Sequence, residues 1–60
     1  MQIGDKIEVK DGLMGWLPAA ITALPRGGAV ECFVRGIGGF GWYKIIPKDE
    51  IKKQIRLPNP

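Results

Sequence analysis

The sequence predicts an all-β chain that folds as a single small barrel over residues 1–60, and three observations lead there. Apolar and polar residues alternate over short runs, the period of a half-buried strand. Nine glycines and five prolines are spread through the 60 residues, so no stretch keeps a helical period for long. The alternating runs are separated by turn formers: Asp11-Gly12, Pro25-Arg26-Gly27-Gly28 and the Gly-rich stretch from Gly36 to Gly41. Closing such a sheet on itself removes the edges that would otherwise aggregate.

Lys6-Ile7-Glu8-Val9-Lys10 is the clearest strand, with Ile7 and Val9 toward the core. Trp16 to Leu24 is the second. Pro18 suits an edge or the start of that strand rather than its centre. Ala19 and Ile21 share one face there, with Ala23 as a third candidate, and Ala20 and Thr22 lie on the other. Ala29 to Arg35 is the third strand, with Val30, Cys32 and Val34 on one face and Glu31, Phe33 and Arg35 on the other. Gly36 to Gly41 reads as a mobile loop, and Trp42 to Ile46 as the fourth strand. Pro47-Lys48-Asp49-Glu50 has the character of a helical turn. Proline fits a first helical position, and acids favour the positive end of the helix dipole. Ile51 packs back from this turn, and Gln54 to Leu57 is a short fifth strand ended by Pro58 and Pro60.

Composition bounds the chemistry. With one cysteine, Cys32, and no histidine, the chain offers neither an internal disulfide nor a Cys/His zinc site, and no metal or cofactor is expected. A secreted protein of this size usually needs such staples, so a reducing intracellular setting is expected. No run approaches the ~20 apolar residues of a membrane span, and none reads as a signal peptide. Serine is absent and Thr22 is the only threonine, so no nucleophile–base pair can be named and a non-enzymatic role is expected. Cys32, inside Val30-Glu31-Cys32-Phe33-Val34, reads as a small core residue. Asp49-Glu50 reads as a helix-start feature.

Gly36-Ile37-Gly38-Gly39-Phe40-Gly41 matches the dinucleotide fingerprint G-x-G-x-x-G letter for letter. That motif works only where a helix follows the glycines in a parallel βαβ unit. Here a strand pattern follows, and the chain is too short for a dinucleotide domain.

The five aromatic residues are the more informative feature. Trp16 stands alone, whereas Phe33, Phe40, Trp42 and Tyr43 surround the Gly-rich stretch. One small core cannot hold five rings, so some are expected at the surface, where ring faces suit a cation, a base or an extended peptide. Phe33 is the ring assigned to packing.

Taken together, the segments Gly4-Asp5-Lys6-Ile7-Glu8-Val9, Gly15-Trp16-Leu17-Pro18-Ala19-Ala20-Ile21 and Arg56-Leu57-Pro58 resemble a Tudor-type module of the Royal family, and most closely its Agenet (plant Tudor-like) branch. The resemblance implies a five-stranded SH3-like (Tudor-like) barrel with a short helical turn before the last strand. It also implies a nuclear, chromatin-associated reader of methylated lysine or arginine in a histone-tail peptide. Methylation removes N–H donors and spreads the cation, so an aromatic cage replaces water around it. Carried over, the cage is Trp16, Phe40, Trp42 and Tyr43, with Glu31 or Asp11 as its acidic edge. Leu17 stands where the family commonly has a second aromatic.

Two other readings remain open. A net charge of +3 suits a nucleic-acid-binding barrel, with Lys44, Lys48, Lys52, Lys53 and Arg56 on phosphates and exposed rings for stacking. Alternatively, the exposed rings are buried in a partner, as in a structural or oligomerising barrel.

Overall fold

The computed structural model describes residues 1–58. Five strands form one antiparallel sheet: β1 (Lys6–Asp11), β2 (Gly15–Ala23), β3 (Val30–Arg35), β4 (Gly41–Ile46) and β5 (Ile55–Arg56). Their order across the sheet is β4-β3-β2-β1-β5. A 3-10 turn at Lys48–Glu50 runs into the short helix α1 (Ile51–Gln54) just before β5. The expected strand count, strand sequence and pre-terminal helical turn are all present. Closure is not: among the described residues β4 and β5 end the sheet without pairing to each other.

The turns follow from local chemistry. Asp11 closes the β1–β2 hairpin by accepting the backbone N–H groups of Leu13 (3.0 Å) and Met14 (2.9 Å) on one carboxylate oxygen. These bonds, Met14's first, hold the Asp11 carboxyl below its ordinary value. The Gly-rich stretch closes as a turn with a backbone hydrogen bond of its own. Gly36 N–H donates to Phe40 C=O (2.7 Å), and Gly38 and Gly39 take the positive φ angles that the reversal needs. Pro47 lies just outside the helical turn in extended backbone, not at its first helical position.

The core is the inner face of this one sheet. Ile7, Val9, Leu17, Ala19, Ile21, Val30, Cys32, Val34 and Ile46 are buried, with Ile51 and Ile55 packed against them from α1 and β5. The expected core faces of the first three strands are met. Ala23 departs from them: the register slips between Ile21 and Ala23, so Ala23 lies opposite Glu31 and only half-buried. Such a slip bends a long strand and lets the sheet coil over its own inner face. Leu17 is a core residue, which explains an aliphatic side chain at that position.

Candidate binding face

Side chains directly opposite one another in an antiparallel pair share a face. Lys6 opposes Ala20, Ala20 opposes Phe33, and Phe33 opposes Tyr43. This row crosses the outer face, away from the core. Beside it lie Glu8 opposite Pro18 and Arg56, and Arg35 opposite Gly41. Phe33 is therefore not a core residue. Its ring meets Tyr43 edge to face, centroids 5.1 Å apart, and lies over Gly41, where a Cβ would collide with it. Tyr43 is 68% exposed and Phe40, in the adjoining turn, 77%.

These residues floor and flank a shallow groove of about 490 Å³, lined by Lys6, Glu8, Pro18, Ala20, Phe33, Arg35 and Pro58 together with Ile7 and Ala19. A second depression, lined by Phe33, Arg35, Gly36, Gly39 and Phe40, continues from it past the shared Phe33 and Arg35. The electrostatics of the groove are one-sided. Glu8 accepts from the Arg56 guanidinium (Nε to Oε1, 2.6 Å), and Glu31 accepts from the Thr22 hydroxyl (2.7 Å). Among the described residues Lys6 and Arg35 have no ion-pair partner. The groove thus offers two uncompensated cations beside a ring platform.

The sequence-predicted residues are not gathered in one place. Trp16 is on the outer face opposite Lys10, half-buried, and the Arg56 guanidinium lies 4.3 Å from its ring centroid. Trp42 opposes the buried Val34, so it lies on the inner face at the sheet margin, with its ring seated over Gly36. Trp16 and Trp42 accordingly face opposite sides of the sheet. Asp11 is committed to its turn and Glu31 to Thr22. The cations scatter as well. Lys44 opposes Cys32 on the inner face, Lys48 packs over Gly28, Lys52 and Lys53 are exposed on α1, and only Arg56 reaches the outer face.

Lys6 and Arg35 were not singled out from sequence. For Arg35 the face was legible, since it is two residues from Phe33 in one strand and shares its side. Cys32 is fully buried; its thiol donates to the Lys44 carbonyl (3.6 Å), and burial pushes its pKa up. Among the described residues no three His, Cys, Asp or Glu side chains converge as a metal site, and no helix is long and apolar enough to cross a membrane. Comparison with protein-family models, with curated proteins and with solved structures finds no match to this chain.

Proposed function

We propose that this chain is a non-enzymatic binding domain whose outer sheet face takes a short stretch of single-stranded nucleic acid. The observation that carries this is the pairing of the Phe33–Tyr43 platform with the unpaired cations Lys6 and Arg35 along one groove. Bases stack on ring faces regardless of sequence, and phosphates seek the cations at the groove's edge. The one carboxylate that lines the groove, Glu8, is neutralised by Arg56, so little opposes an anion there. The same arrangement disfavours a methylated lysine on the outer face, since a cationic ligand would meet two uncompensated positive charges.

We read the coiled sheet as a small SH3-like barrel of Tudor type. The strand order, the bend in the long β2 and the short helix before β5 support that reading. A nuclear reader of methylated histone peptide is the second reading. It rests on Trp42 and Phe40, two exposed rings at one turn. Of the two carboxylates expected at the edge of that cage, Asp11 is bonded in its turn and Glu31 to Thr22.

The test is fluorescence anisotropy with labelled single-stranded oligonucleotides, a short duplex, and methylated and unmethylated lysine peptides, each over a salt series. Two phosphate contacts on a single strand predict a log–log salt slope of about −1.4. Phe33→Ala should weaken binding by about 1–3 kcal/mol, and charge reversal at Arg35 should weaken it and flatten the slope. Absence of binding to any oligonucleotide at low salt would overturn the proposal. Methyl-dependent peptide binding that vanishes with Trp42→Ala would put the second reading in its place.

A further inference from the structure

The backbone of β4 is complementary to itself. Gly36 donates to Phe40 in the register that pairs Val34 with Trp42, Cys32 with Lys44 and Val30 with Ile46. Hydrogen-bonded and non-hydrogen-bonded pairs alternate along an antiparallel ladder. Trp42, Lys44 and Ile46 therefore spend their backbone groups on β3. Gly41, Tyr43 and Ile45 turn both N–H and C=O to the free margin of the sheet.

Of the usual protections that margin carries one, the charge of Lys44. Gly41-Trp42-Tyr43-Lys44-Ile45-Ile46 has no proline, one charge and an unbroken register with β3. Tyr43 and Ile45 are 68% and 62% exposed. The opposite margin, β5, is only two residues long and is guarded by its shortness.

We infer that a second copy of this chain pairs with β4 antiparallel, across a two-fold axis at Tyr43. The axis stands perpendicular to the sheet, so each residue must meet one from the same face. With the axis at Tyr43, Tyr43 opposes its copy and Gly41 opposes Ile45 of the other chain. All three outward-facing residues of both chains then form two bonds each. Every neighbouring register is worse. An axis at Lys44 sets the two lysines directly opposite and brings Pro47, which has no N–H, against Gly41. An axis at Ile45 brings Pro47 against Tyr43. An axis at Trp42 brings Ile45 against Gly39, whose φ of 81° belongs to the turn and not to a strand.

Side chains agree with the backbone. In the chosen register Lys44 of each chain meets the exposed Trp42 ring of the other, disposing of the strand's one charge as a cation–π pair. On the outer face Ile45 reaches the Phe33 ring that covers Gly41 of the other chain. The two Phe33–Tyr43 pairs become one continuous row of four rings. A domain of this size is short of buried surface on its own, and a shared sheet supplies more.

This inference is independent of the nucleic-acid reading and is tested without any ligand. Sedimentation equilibrium on the intact chain should show the mass rising with concentration from 6.6 kDa toward twice that value. Amide exchange by NMR should show the Gly41, Tyr43 and Ile45 amides gaining protection with concentration. Those of Trp42, Lys44 and Ile46 should be protected throughout. Tyr43→Lys sets like charges across the axis and should weaken association about tenfold or more. Ile45→Lys, one step off the axis, should weaken it while circular dichroism stays that of the folded sheet. A mass of one chain at every concentration would overturn the inference. So would a doubled mass with the Tyr43 amide still exchanging freely, because another surface would then be the interface.

Discussion

Gly41→Ala probes the ring platform without touching a ring. Gly41 does not have a positive φ, so alanine is permitted by its backbone, and only space stands in the way. A Cβ at this position would lie 2.5 Å from Phe33 Cε2 and 2.9 Å from the Val34 carbonyl oxygen. Ordinary contact begins near 3.4 Å, so the ring must retreat by about 1 Å from the seat that holds it against Tyr43. Overpacking of this kind costs about 1–3 kcal/mol. In a domain of this length each kcal/mol lowers the melting midpoint by about 4–8 °C, so a fall of roughly 10 °C is expected. The assay is thermal and urea denaturation of Gly41→Ala, Phe33→Ala and the double variant. With the Phe33 ring gone, the alanine should cost markedly less, a coupling of the kind that contacting residues show. Equal cost of Gly41→Ala in both backgrounds would refute the account of Gly41 as the seat of Phe33. Oligonucleotide affinity should fall with Gly41→Ala as it does with Phe33→Ala, since both disturb one platform.

Three further outcomes follow from the core and the first hairpin. Ile46 is fully buried where β4 meets β3, and Ile46→Ala should cost about 2–5 kcal/mol; against roughly 3–9 kcal/mol expected for a chain of this length, denaturant titration should show much of the stability lost. The Cys32 thiol, buried and raised in pKa, should react with a thiol reagent only as fast as the sheet opens, accelerating in denaturant; full reaction within mixing time in native buffer would count against its burial. Asp11 is held below its ordinary carboxyl value in the folded chain, so the unfolded chain binds its proton first as the medium acidifies. Its contribution is therefore complete above about pH 4 and lost as pH falls through the lowered value, and Asp11→Asn should flatten the acid limb of the stability curve.

Period and punctuation carried much of the fold. Ile7 and Val9, Ala19 and Ile21, and Val30, Cys32 and Val34 alternate with polar neighbours, and each set is on the buried face. The turns at Asp11, Pro25 and the Gly-rich stretch were equally plain, because aspartate, proline and glycine act on the few bonds around them. Trp42 shows where this kind of reading stops. It lies in an alternating run, and alternation alone says only that Trp42 and Tyr43 face opposite ways. Which of them faces the core is settled by pairing with β3.

The candidate site was the least legible part. Its members come from β1, β2, β3, β4 and the segment after β5, and what unites them is cross-strand register. Arg56 reaches Trp16 and Glu8 because β5 returns beside β1, forty-odd residues along the chain. No local preference encodes that return. Glu8, which lines the groove with Lys6 and Arg35, is paired with Arg56, and partner choice depends on three-dimensional distance.

The sequence by itself determined the elements, their order and the buried sides of the first three strands, since these follow from periods of two residues and from backbone chemistry at glycine, proline and aspartate. Only the tertiary structure decided how the faces are shared. It placed Trp16 and Trp42 on opposite sides, packed Phe33 against Tyr43 and over Gly41 on the outer face, and left β4 as an open margin. Each of those outcomes is set by strand register and sheet coiling, which are properties of residues far apart in the chain and adjacent only once it has folded.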